Sequence, residues 1–106
     1  MAASTSELEQ AVIARLRTIF DPEIPVNIYD LGLIYELTVA PDSSAVHIRM
    51  TLTAPGCPVA QTFPALVAEA VGEVPGVEDV QVELVWQPRW DKTMMSEAAR
   101  LELGLL

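Results

Sequence analysis

The sequence predicts a small α+β domain: a three-stranded mixed sheet with two helices packed on one face, in the order α-β-β-α-β plus a short C-terminal helix. Three observations carry that prediction. Apolar residues recur at helical spacing from Leu8 to Phe20 and again from Val59 to Val71. Two runs that alternate apolar and polar residues, 33–39 and 46–53, flank the turn-forming Pro41-Asp42-Ser43-Ser44. A third alternating run, 80–86, follows the second helical stretch. A helix stripe and a sheet face each need an apolar partner, and packing one on the other satisfies both.

The first helix opens with a capping box, Ser6 at the N-cap and Glu9 three residues on. Leu8, Val12, Leu16, Ile19 and Phe20 form its apolar face, and Asp21-Pro22 stops it near Phe20. Residues 21–32 make a connection longer than usual and carry three acids, Asp21, Glu23 and Asp30. In the first strand Leu33, Tyr35, Leu37 and Val39 point one way, and Ile34, Glu36 and Thr38 the other. In the second, Val46, Ile48, Met50 and Leu52 face the core, while His47, Arg49, Thr51 and Thr53 face out. Pro58 suits the first position of the second helix, which makes Cys57 its N-cap. Pro64 is awkward within that helix: it kinks the helix or marks its true start. Pro75-Gly76 ends it. Val80, Val82, Leu84 and Trp86 give the third strand, stopped by Pro88, and a crossover through a helix makes it parallel to one of the others. Residues 96–103 form the short last helix, with Gly104 as its stop.

Composition bounds the function. With 106 residues and no internal repeat or linker, the chain is expected to be one domain, 1–106. Six basic and fifteen acidic residues leave a net charge of −9, which disfavours nucleic acid or an anionic membrane as partner. A 51% hydrophobic content excludes disorder and a collagen-like or coiled-coil rod. A lone cysteine forbids an intramolecular disulfide. The N-terminus lacks the basic start and apolar core of a signal peptide, and no run approaches the roughly 20 apolar residues of a membrane span. A reducing cytoplasm is the expected home.

Cys57 is the first candidate for chemistry. At a helix N-terminus, unpaired amides and the dipole favour the thiolate. Free cysteine also serves as a small buried hydrophobe. Ser, Thr, Asp or Asn caps a helix better, so the Pro-Gly-Cys-Pro setting favours a reactive or ligating role. One thiolate is not a complete metal site, since zinc takes about four ligands and iron–sulfur clusters several thiolates. Asp21 and Glu23 are candidate oxygen ligands or a base beside the thiol, or ordinary turn residues. Thr51 and Thr53 lead toward Cys57 and are either hydrogen-bond donors to a ligand or plain strand formers. Asp30 and Gly32 read as loop anchors, through an Asx turn and an unusual backbone angle. His47, the only imidazole, reads as a solvated sheet residue. Trp86 and Trp90 clamp the tail onto the sheet or form a binding surface. No Ser-His-Asp or Cys-His arrangement and no phosphate loop is present, so a self-sufficient enzyme is disfavoured.

Asp21-Pro22-Glu23, Asp30-Leu31-Gly32-Leu33-Ile34-Tyr35 and Met50-Thr51-Leu52-Thr53-Ala54-Pro55-Gly56-Cys57-Pro58 resemble the SufT/PaaD-like family of metal–sulfur cluster assembly domains. Gly76-Val77, Trp86, Pro88, Trp90 and Met95-Ser96-Glu97-Ala98 continue the resemblance, from about Leu8 onward. It implies the same α+β fold and an accessory factor for maturing iron–sulfur proteins, with no turnover of its own. Its partners would be the iron–sulfur assembly machinery and client apo-proteins. The family's functional cysteine maps onto Cys57, its Asp-Pro-Glu acid onto Asp21, and its Asp-Leu-Gly onto Asp30 and Gly32. Some PaaD-type relatives add a Cys-rich zinc module and mature a phenylacetyl-CoA oxygenase system. This sequence has one cysteine, so the SufT-like role fits better. Any cluster would be transient and shared between chains, its missing ligands coming from a second subunit, a client protein or a small thiol; a homodimer would bring two Cys57 together, with Asp21 or small thiols completing the shell. Two other readings stand beside this one: a metal-free adaptor that docks client proteins, and a thiol-redox enzyme, for which the chain lacks a resolving thiol.

Overall fold

The computed structural model describes residues 5–21, 24–40, 44–53 and 62–104, with residues 5 and 6 as backbone only. Helix α1 spans Thr5–Leu16, strands β1 and β2 span Ile34–Val39 and Ala45–Met50, and helix α2 spans Phe63–Gly72. Strand β3 is Asp79–Leu84; a single 3₁₀ turn, Lys92–Met94, then leads to helix α3, Glu97–Glu102. The expected α-β-β-α-β order with a short last helix is borne out.

β2 is the central strand. It pairs antiparallel with β1, Val39 opposite Val46 and Leu37 opposite Ile48, and parallel with β3, Ile48 opposite Val82. Alternation decides which face is covered. Val46, Ile48 and Met50 are buried, whereas His47 and Arg49 between them keep access to solvent. Val12 and Leu16 of α1 and Val67 and Val71 of α2 close over that face. The outer face carries a charge ladder. Arg49 lies 3.5 Å from Glu83 and 3.8 Å from Glu36, and His47 is 3.6 Å from Glu83. Such exposed pairs contribute at most about 1 kcal/mol each.

Several boundaries differ from expectation. α1 begins at Thr5, so Ser6 lies inside it, and it ends at Leu16 rather than Phe20. Thr18 and Ile19 donate to carbonyls three residues back, and Phe20, itself 57% exposed, bridges to Asn27. The early stop turns Ile19 inward and leaves Phe20 outside the core. The connection after it is a packed loop: Val26, Ile28 and Leu31 are core residues. In β1 the register slips between Ile34 and Glu36, a β-bulge at Tyr35. Ile34, Leu37 and Val39 therefore pack on the core, and Tyr35 joins Glu36 and Arg49 instead.

α2 starts at Phe63 with Thr62 as N-cap and Pro64 in its first turn. Proline belongs there because the first amides have no intrahelical acceptor to lose. Pro64 thus marks the true start of α2, and neither Cys57 nor Pro58 caps it; both lie outside the described residues. The helix ends at Gly72, earlier than Pro75-Gly76. At α3 the expectation holds: Ser96 Oγ accepts from the Ala99 amide, and Gly104 has φ +74°.

Candidate functional site

The sequence places its candidate residues on two connections. The structure sorts them into loop anchors and residues that line a pocket. Asp21 is 7% exposed, and its Oδ1 accepts from the Ile24 amide at 2.8 Å. Its own amide donates to the Val26 carbonyl. These are bonds of a carboxylate that closes a turn. Asp30 behaves alike: its amide donates to Asn27 Oδ1, and its Oδ2 accepts from Asn27 Nδ2 at 2.8 Å. The Asp30 carbonyl also receives the Ser96 amide, which ties this loop to the start of α3.

Gly32 adopts φ +80°, and a Cβ there would overlap the Met94 carbonyl. Only glycine lets the C-terminal stretch pass this close. That stretch is strapped across one end of the sheet. Trp90 Nε1 donates to the Leu31 carbonyl at 2.7 Å, and the Tyr35 phenol donates to the Pro88 carbonyl at 2.7 Å. The phenol also lies 3.4 Å from Met94 Sδ. Burial, then the Asp91 carboxylate, raise the Tyr35 pKa above 10.0, and the neighbouring Thr51 hydroxyl opposes them. Asp91 caps the 3₁₀ turn by accepting from the Thr93 amide and hydroxyl, which lower its own pKa.

The strap buries Thr51. The alternating pattern puts this residue on the outer face, yet it is 1% exposed. Its amide donates to the Leu33 carbonyl. Its hydroxyl faces the Tyr35 phenol outside ordinary hydrogen-bonding geometry and has no hydrogen-bond partner among the described residues. Thr51, Leu52 and Thr53 join Trp86, Gln87, Arg89 and Trp90 around a pocket of about 240 Å³. The structure thus brings Thr51 and Thr53 together and leaves Asp21, Asp30 and Gly32 off the pocket lining. Glu23 and Cys57 lie outside the described residues. Four peptide units join Thr53 to Cys57, a reach of at most about 14 Å.

Sequence reasoning singled out neither Arg89 nor Tyr35 for this site. Nothing local marks Arg89, whereas the Trp86/Trp90 pair around Pro88 was the available signal. Among the described residues, no group of three or more His, Cys, Asp or Glu could hold a metal ion. None of the described helices is long and apolar enough to cross a membrane.

Residues 9–84 match a family described as "Iron-sulfur cluster assembly protein". The chain is 50% identical over 100 residues to a Porphyromonas gingivalis protein named "Fe-S protein maturation auxiliary factor", covering 94% of both. It is 38% identical to the Staphylococcus aureus "Fe-S protein maturation auxiliary factor SufT", covering 82% of this chain and 98% of that one. Its fold superimposes on a Bacillus anthracis crystal structure described as a domain of unknown function, DUF59. The TM-score is 0.86, at 35% identity and 96% coverage of each chain.

Proposed function

The chain belongs to the iron–sulfur cluster assembly protein family, and from that membership we propose that it is an accessory factor in the maturation of iron–sulfur proteins. The observation that carries this reading is the 50% identity, along nearly the whole of both chains, to a protein bearing that name. Its partners are the iron–sulfur assembly machinery and client apo-proteins, in the cytoplasm, and it turns over no substrate of its own.

Cys57 is the cluster ligand or transfer thiol. It is the one cysteine in the chain, and thiolate is the ligand iron–sulfur clusters take. One sulfur leaves the other iron sites to a second copy, a client or a small thiol. Under-ligation of this kind favours release, so the cluster is cargo rather than a resident cofactor. Asp21, tied to its turn by the Ile24 amide, is the oxygen donor that would complete the shell beside Cys57.

Anaerobic reconstitution with iron, sulfide and a small thiol tests this on the native chain and on Cys57→Ala. The native chain should retain iron and sulfide after desalting, with visible absorption. About one iron per chain would mark a two-iron cluster shared by two copies. Cys57→Ala should lose the metal and keep its melting temperature. Retention by neither protein would replace the cluster reading with the metal-free adaptor. In that case Cys57→Ser would still capture client proteins and Glu23→Lys would not.

A further inference from the structure

We propose that the pocket lined by Thr51, Thr53, Trp86, Gln87, Arg89 and Trp90 binds a small thiol bearing a carboxylate, of the class of cysteine and its short peptides. The carboxylate half of the inference rests on the pocket. The thiol half rests on the reading of this chain as a cluster-handling factor.

Arg89 is the only charged side chain among the pocket's described lining residues. Three of the six basic side chains pair with carboxylates among the described residues. Arg15 pairs with Glu73, Arg17 with Asp30, and Arg49 with Glu36 and Glu83. Arg100 donates to the Thr93 carbonyl. Arg89, Lys92 and Arg100 have no carboxylate within ion-pair distance among the described residues, and of these three only Arg89 lines the pocket. A guanidinium fork beside a pocket is shaped for a carboxylate, which it binds bidentately. One such fork in a chain of net charge −9 suits a monoanion rather than a polyphosphate.

The walls set the rest of the ligand. Both of the chain's tryptophans line the pocket. Indole rings cover methylenes well and make favourable contacts with sulfur. The Gln87 amide and the Thr53 hydroxyl supply neutral donors and acceptors for a peptide-like group. Thr51 adds a buried side chain to the wall, its hydroxyl turned toward Tyr35. A volume of about 240 Å³ admits an amino-acid-sized ligand and not a folded partner. Thr53, on the pocket wall, is also the last described residue before the segment that carries Cys57. A thiol held here supplies a second sulfur to a site whose chain has only one.

N-acetyl-L-cysteine is the probe, titrated under reducing, metal-free conditions into the native chain and into Cys57→Ala. The Cys57→Ala chain has no thiol, so disulfide exchange cannot imitate binding. Because both tryptophans line the pocket, their indole N–H resonances report it directly. The expected result is a saturable shift of both resonances in each protein. Affinity should fall about tenfold or more for the neutral N-acetylcysteine amide and for Arg89→Gln, which each remove the ion pair. It should fall about threefold for N-acetylalanine, which lacks the sulfur. Arg89 is exposed, so Arg89→Gln should melt with the native chain. The inference is overturned by the absence of saturable shifts up to about 20 mM, well past millimolar affinity. It is equally overturned if the amide, N-acetylalanine or Arg89→Gln binds as the reference does. No metal enters the titration, so its failure removes the pocket and leaves the Cys57 reconstitution to be judged separately.

Discussion

The two ends of the sheet are built differently. At the hairpin end β1 and β2 pair regularly, Val39 opposite Val46, and Ala40 and Ala45 close the turn through a 2.9 Å backbone bond. The Ser44 carbonyl accepts from Glu78, just before β3. Ser44, at φ +54°, carries the irregularity there. At the opposite end almost every regular feature is broken. β1 bulges at Tyr35, Gly32 takes a left-handed angle against Met94, and Thr51 is buried with its hydroxyl unmatched. Trp90 straps the C-terminal stretch across Leu31. The first end only joins strands. The second end emits the segment with the lone cysteine and holds the aromatic pocket. Strain gathers where a surface has to be shaped, and other interactions must hold it there.

The largest test of that contrast is Gly32→Ala. A Cβ meets the Met94 backbone and the angle is left-handed, so the loss should be about 3 kcal/mol or more, read by urea denaturation. Gly104→Ala is the control: its φ is +74° but a Cβ there meets nothing, so about 1 kcal/mol is expected. Equal losses at the two glycines would mean that the strap over Gly32 is not held in place. Trp90→Phe keeps most of the ring and removes the donor to Leu31, for a loss of about 1 to 1.5 kcal/mol. Ser44→Gly at the hairpin end should gain about 0.5 to 1 kcal/mol by releasing the left-handed angle. Thr51→Val removes an unmatched hydroxyl while keeping its shape, so stability should be unchanged or rise by up to about 1 kcal/mol. A clear loss would show that the hydroxyl has found a partner in solution.

The smallest effect is in alkali. The Tyr35 pKa is raised in the folded protein, so the folded state holds that proton more tightly than the unfolded chain does. The resulting stabilisation is complete below pH 10 and is lost as pH rises through the folded pKa. Tyr35→Phe should flatten this decline in thermal melts between about pH 9 and 11.

Much of the fold was legible because local chemistry and period agree with the tertiary outcome. Val46, Ile48 and Met50 alternate with His47 and Arg49, and Val80, Val82 and Leu84 with Gln81 and Glu83. One covered sheet face therefore follows from the pattern alone. Ser96 and Gly104 bound the last helix by capping rules that need no distant partner. The candidate site was legible in part. Asp30 reads locally as a loop anchor because its partner, Asn27, is three residues away.

What the sequence determined by itself is thus the class of fold, the strand faces, the acidic surface and the lone thiol, since each depends on residue type and near neighbours. Tertiary structure alone decided the bulge at Tyr35, the burial of Thr51, the need for glycine at 32 and the pocket around Arg89. Each of these arises where the C-terminal stretch crosses the sheet end, through contacts such as Tyr35 to Pro88 and Trp90 to Leu31 that join residues more than fifty positions apart. A pattern read over a few residues carries no record of which distant backbone will come to lie against it.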